Sequence, residues 1–139
     1  MIVLDTNVVS AVIRRAPEAS VVAWLDRQAE ADIWITTITV FEARAGLLRI
    51  PEGRRRAELE AAFLRLIHED LDGRILTFDA ASAEQAAQLA ADRHRRGSNI
   101  DFRDTAIAGI AIDRGATLAT RNRRDFADLP VPVVDPWTA

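Results

Sequence analysis

The chain has 139 residues, 49% apolar and 28% charged, which suits one soluble domain and excludes a disordered chain or a multidomain enzyme. It contains no cysteine and its 18 basic residues are all arginine, so disulfide scaffolds, zinc ribbons, thiol nucleophiles, lysine catalysis and a phosphate-loop lysine are excluded. The formal net charge of −3 argues, taken alone, against a generic nucleic-acid binder.

Ile2-Val3-Leu4 is a short apolar run stopped by Asp5-Thr6-Asn7, the pattern of a buried strand running directly into a turn or helix start. Val8, Val9, Val12 and Ile13 follow at helical spacing. Pro17-Glu18 opens a second helix carrying Val21, Val22, Trp24 and Leu25. Ile33-Trp34-Ile35-Thr36 is a second strand. Thr37 or Thr39 is expected to cap the next helix, whose apolar residues are Ile38, Val40, Phe41, Ala45 and Leu48 and which ends before Pro51 and Gly53.

Residues 54–71 read as one amphipathic helix, with Leu59, Ala62, Phe63, Leu66 and Ile67 on a single stripe. Arg74–Thr77 is a third strand, and residues 80–96 an alanine-rich helix able to pack closely. Asp101 begins a helix carrying Ile107, Ala108, Ile110 and Ala111, closed by Gly115. Residues 116–120 form a fourth strand, Asn122–Phe126 a helical turn, and Val131–Val134 a weak last strand whose proline suggests an edge. The three tryptophans, Trp24, Trp34 and Trp137, are read as core or interface, and His68 and His94 as surface.

Short apolar strands alternating with helices predict a three-layer α/β/α fold with a central parallel sheet, as a single domain over residues 1–139. No apolar run approaches the ~18 residues of a membrane span, and the N-terminus lacks the basic start of a secretory signal, so the expected location is the cytoplasm. In such sheets ligands bind at the carboxyl ends of the strands.

Several acids fall at those ends. Asp5 follows the first strand, and Glu42 lies one turn into the helix after the second. Asp104 lies in the first turn of the helix before the fourth strand, and Asn122 and Asp125 come just after that strand. Each has a local explanation: Asp5 and Asp101 as helix caps, Asp104 and Asp125 as partners in capping-type turns. If strands one, two and four are neighbours, however, the acids converge. Two carboxylates ~4 Å apart repel by about 4 kcal/mol at an effective dielectric near 20. Such a group takes up protons or recruits a cation, here an arginine or a divalent metal. All-oxygen ligands without His or Cys favour Mg²⁺, with Mn²⁺ possible, and open positions on such an ion suit phosphate chemistry.

Leu4-Asp5-Thr6-Asn7, Glu42, the block Asp104-Thr-Ala-Ile-Ala-Gly-Ile-Ala and Thr120-Arg-Asn122-Arg-Arg-Asp125-Phe126, in this order, resemble the PIN-domain nucleases, with the nearest likeness to VapC/FitB-type toxins of bacterial toxin–antitoxin pairs. The likeness spans essentially the whole chain. It implies a Mg²⁺-dependent endoribonuclease leaving 5′-phosphate and 3′-hydroxyl ends. Its catalytic, metal-binding acids map to Asp5, Glu42, Asp104 and Asp125, supported by Thr6 and Thr120, with Asn122 beside them. Many PIN domains carry Asp where this chain has Asn122, which leaves open whether Asn122 or Asp125 faces the metal. The resemblance also implies a homodimer formed through helices near Glu42 and residues 54–71. It further implies a small antitoxin partner that inserts an arginine into the acidic site, with DNA contacted only through that antitoxin.

RNA affinity needs positive charge, and its distribution is uneven. Residues 1–90 carry 10 Arg against 14 acids, residues 91–124 carry 8 Arg against 4 acids, and residues 125–139 carry 3 acids. The basic segment surrounds the proposed site, and Arg93, Arg96, Arg103, Arg121 and Arg123 are the expected substrate-binding residues. Arg54-Arg55-Arg56 is expected to be plain surface. Two alternatives remain: a haloacid-type phosphatase, disfavoured because Asn7 stands where that class needs a second Asp, and a catalytically silent protein-binding module within a DNA-bound toxin–antitoxin complex.

Overall fold

A computed structural model describes all 139 residues. The strands are β1 (Ile2–Leu4), β2 (Ile33–Thr36), β3 (Ile75–Leu76), β4 (Thr117–Ala119) and β5 (Val133–Val134). The helices are α1 (Thr6–Ile13), α2 (Ala19–Asp26), α3 (Thr37–Arg49), α4 (Arg54–Arg65), α5 (Ala80–Arg95) and α6 (Phe102–Arg114). All strand pairs are parallel, in the order β3-β2-β1-β4-β5. The expected α/β architecture is therefore present, with β2 and β4 flanking β1. The chain builds outward from β1 to β3 and then crosses to the other side for β4. That reversal between β1 and β4 is where ligands bind in sheets of this kind.

The strands are apolar throughout because both faces are covered. Leu4, Ile33, Ile35 and Ala119 point into a core shared with Val8, Val9, Val21, Trp24, Leu47 and Phe63. Val3, Leu76 and Leu118 point into a second core with Leu89, Ile107, Ile110 and Phe126. Helix α6 lies so close to α5 that a Cβ on Gly109 would stand 2.7 Å from both the Ala86 Cβ and the Ser82 carbonyl oxygen. Only glycine permits that approach.

Several boundaries differ from expectation. Thr36, and neither Thr37 nor Thr39, caps α3, since its hydroxyl accepts from the Thr39 N–H. The expected helix over 54–71 ends at Arg65 and continues as a π-helical turn, Leu66–Asp70. Strands β3 and β5 keep only two residues each, as sheet edges do where few neighbours remain to pair. Phe41 and Leu48, read as part of the apolar stripe of α3, are 62% and 53% exposed. The buried face of that helix is carried instead by Thr39 and Leu47.

Candidate active site

The acids that follow β1, β2 and β4 gather at the carboxyl ends of these strands in one acidic pocket open to solvent on the Asp104 side, as the mutual coupling of their charges shows. Asp5 leaves β1 with its backbone N–H donating to the Ala119 carbonyl at 2.9 Å, which ties it to β4. Its side chain is buried, and it caps α1 by accepting from the Thr6 N–H at 2.8 Å. The cap and site roles thus coincide. The second Asp5 oxygen accepts from Thr120 Oγ1 at 2.7 Å and Asn7 Nδ2 at 3.3 Å. Burial pushes the Asp5 carboxyl up; the Thr120 and Thr6 hydrogen bonds oppose this, and the nearby Glu42 charge adds to it.

Glu42 is oriented by the neighbouring strand end. Thr6 Oγ1 donates to Glu42 Oε1 at 2.8 Å and lies 3.1 Å from Thr39 Oγ1. The Thr36 hydroxyl donates in turn to Thr39 Oγ1 at 3.5 Å, so a line of threonine hydroxyls runs from the cap of α3 into the pocket. On the β4 side, Asn122 donates its backbone N–H to Thr120 Oγ1 at 3.0 Å and its amide to Asp125 Oδ2 at 2.7 Å. Asn122 and Asp125 therefore act as a pair, the amide holding the carboxylate.

Asp104, in the first turn of α6, is half-buried and has no such donors. Its carboxyl is pushed up to about 6, first by burial and then by the charges of Asp5, Glu42, Asp101 and Asp125. The electrostatic coupling places all four expected acids in one field. Asp101 caps α6 through the Arg103 N–H at 2.8 Å. The Arg103 guanidinium pairs with Asp101 at 3.0 Å and reaches to within 3.8 Å of Glu42.

The donor set suits a small hard cation: carboxylates only, with hydroxyl and amide groups behind them. No three acids close into a ready-made ligand cage. The donor chemistry, and no preformed cage, is what fits Mg²⁺, which retains water and is held by one or two carboxylates together with substrate phosphates.

The expected basic residues divide. Arg96, Arg103, Arg121 and Arg123 are exposed. Arg121 lies over the Trp137 ring at 5.0 Å and donates its backbone N–H to Asn7 Oδ1 at 3.3 Å. Arg93 departs from expectation, being only 2% exposed, with its guanidinium bonded to Asp128, Thr105 and the Asp125 carbonyl. It faces no substrate. The sequence carried the signal: Ser82, Ala86, Leu89 and Arg93 form the buried stripe of α5 at helical spacing. Asn7 and Thr39 are supporting residues that the motif reading missed. Asn7 was visible two positions after Asp5, whereas Thr39 depends on the α1–α3 contact and left no local trace.

A parallel α/β sheet with acids gathered at its switch point defines the class of fold, and comparison with known proteins identifies the family. The PIN domain family matches residues 2–132, and the chain belongs to that family. It is 37% identical over 139 residues, 100% of both chains, to the plasmid stability protein StbB of Pseudomonas syringae pv. tomato. It is 35% identical to the VapC ribonuclease Y4jK of Sinorhizobium fredii, over 99% of this chain and 98% of that one. FitAcB from Neisseria gonorrhoeae superposes with a TM-score of 0.90 at 36% identity, over 100% of both chains. FitAB bound to an IR36 DNA fragment gives 0.89 at 36% identity, over 99% of this chain and 96% of that one. The resemblance to VapC/FitB toxins read from the motifs is therefore borne out.

Proposed function

We propose that this chain is a Mg²⁺-dependent endoribonuclease toxin held in check by a cognate antitoxin. The observation that carries the reading is the convergence of Asp5, Glu42, Asp104 and Asp125 at the β1–β4 switch point, an excess of negative charge that Arg103 offsets only in part. Asp5, Glu42, Asp104 and Asp125 would hold the cation. When bound, Mg²⁺ supplies charge neutralisation at the scissile phosphate and a water of lowered pKa.

The chain's own residues do the positioning. Thr120, Asn7 and the Thr6 N–H fix both Asp5 oxygens, Thr6 fixes Glu42, and Asn122 fixes Asp125. The exposed Arg103, Arg121 and Arg123 supply positive charge for the RNA backbone beside this acidic centre. No His or Lys is needed as a base.

The partner assignments rest on apolar surface. A cleft of about 400 Å³ between α1, α2 and α4 is lined by Val12, Ile13, Val22, Leu25, Ala62 and Leu66, with Leu4, the residue before Asp5, also on its wall. A small antitoxin seated there would run toward the acidic pocket, which suits an inserted guanidinium. Exposed Phe41, Leu48 and Leu64 on α3 and α4 suit a homodimer contact. FitAB bound to a DNA fragment is in keeping with a partner of this kind, with DNA reached through the antitoxin as our reading has it.

Purified protein incubated with tRNA and mRNA pools in Mg²⁺, and again in EDTA, tests the activity. The expected result is Mg²⁺-dependent fragments carrying 5′-phosphate, absent with Asp5→Asn. Cleavage that is equal in the variant, or absent from the wild type in Mg²⁺, contradicts the assignment and favours the silent binding module.

A further inference from the structure

Resting on the nuclease reading above, we propose that Arg93 is a positioning residue that fixes Asp104 and Asp125 from within the protein interior. Asp125 sits in a 3₁₀ turn of four residues, Arg123–Phe126, too short to stabilise itself. One side of that turn is anchored by Phe126, fully buried in the core beneath β4. The other anchor is Arg93, whose Nη2 donates to the Asp125 carbonyl at 2.8 Å.

The same guanidinium donates through Nη1 to Thr105 Oγ1 at 2.9 Å, and that hydroxyl donates to the Asp101 carbonyl at 3.2 Å. Thr105 is the residue after Asp104, so one planar group joins the turn of Asp125 to the first turn of α6. Nε and Nη2 complete the fork on the two Asp128 oxygens, both at 3.0 Å. Arg96 adds a second contact to Asp128 at 2.5 Å from the solvent side. The guanidinium thus reaches α6 and two points, Asp125 and Asp128, of the segment between β4 and β5, although it is itself on α5.

Stability alone does not explain this arrangement. A buried ion pair is often matched or bettered by apolar residues of similar volume. The fork holds geometry that apolar side chains would not: it fixes two backbone segments that each carry an acid of the pocket. Arg93 contacts neither the pocket nor the substrate, and acts only through what it holds.

The test is a double variant, Arg93→Met with Asp128→Leu, which removes the fork without leaving a buried charge unpaired. Mn²⁺ binding to RNA-free protein is read by electron paramagnetic resonance beside the thermal unfolding curve. The expected result is cooperative unfolding near the wild-type temperature with Mn²⁺ affinity weakened about 10–100-fold, the usual range for groups that orient metal ligands, and with kcat falling while KM for RNA holds. Arg93→Lys keeps the charge without the fork, and carries the same expected weakening should the double variant not fold. Wild-type Mn²⁺ affinity and kcat in the folded variants would overturn the proposal. Wild-type protein that neither binds Mn²⁺ nor cleaves RNA would instead overturn the nuclease reading on which it rests.

Discussion

The two flanks of the acidic pocket hold their carboxylates by opposite means. On the β1–α3 flank, Asp5 and Glu42 are met by neutral donors: Thr120, Asn7, Thr6 and a backbone N–H. On the α6 flank, Asp104 has no hydrogen-bond donor, and its carboxyl is raised to about 6 by burial and the neighbouring acids despite the charge of Arg103 nearby. The contrast teaches what neutral donors contribute. Neutral donors partly offset the burial of Asp5, whose carboxyl is still raised, while half-buried Asp104 lacks such donors and is raised further, to about 6.

This comparison can be broken experimentally. Asp5→Asn and Asp104→Asn should each lower cleavage by more than about 100-fold, beyond the effect of losing a mere orienting partner. Single-turnover rates on RNA measure this, and near-wild-type rates in either variant would remove that acid from the site. Thr120→Val strips one donor from Asp5 while leaving every acid in place. Mg²⁺ half-saturation should then rise by about 10–100-fold, whereas an unchanged value would mean that burial alone positions Asp5.

In stability the flanks should diverge in sign. Asp5→Asn turns an amide toward donors that now lack an acceptor, and should cost about 1–3 kcal/mol in chemical denaturation. Asp104→Asn removes repulsion and should stabilise metal-free protein at pH 7 by about 1 kcal/mol, a value discounted for solvent screening of a half-exposed group. The sign follows from linkage. A carboxyl raised from 3.8 to about 6 in the folded state binds more protons folded than unfolded in that interval. Wild-type stability is therefore lost relative to Asp104→Asn as pH rises from about 4 to 6, and the two proteins converge below pH 4. Denaturation in EDTA across that range checks it. Destabilisation by Asp104→Asn at pH 7 would contradict the picture of frustrated charge.

Much of this was legible in the chain itself. Strand order mattered most, and the apolar runs of β1, β2 and β4 gave the parallel sheet while the acids after them gave its functional edge. Asp5, Asp104 and Asp125 stand at element boundaries, where local pattern is informative, and Glu42 stood out as an acid one turn into α3. What was misread is decided by contacts distant in sequence, even where, as in the Ser82, Ala86, Leu89 and Arg93 stripe of α5, the spacing carried a signal. Arg93 is buried because Asp128, 35 positions later, and the Asp125 carbonyl offer it a full set of acceptors. Charge type suggested solvent there, and tertiary pairing overrode it. Phe41 and Leu48 misled for the converse reason: they are apolar, yet α3, which follows β2 without a turn, points Thr39 and Leu47 inward instead.

The most direct test of the account is the titration of the Asp104 carboxyl by carbon-13 NMR, assigned by its loss in Asp104→Asn. The account predicts a midpoint near 6 in EDTA, falling well below that on adding Mg²⁺. A midpoint near 3.8 in EDTA, or one that Mg²⁺ leaves unmoved, would contradict the claim that this pocket is an acidic site awaiting a divalent cation.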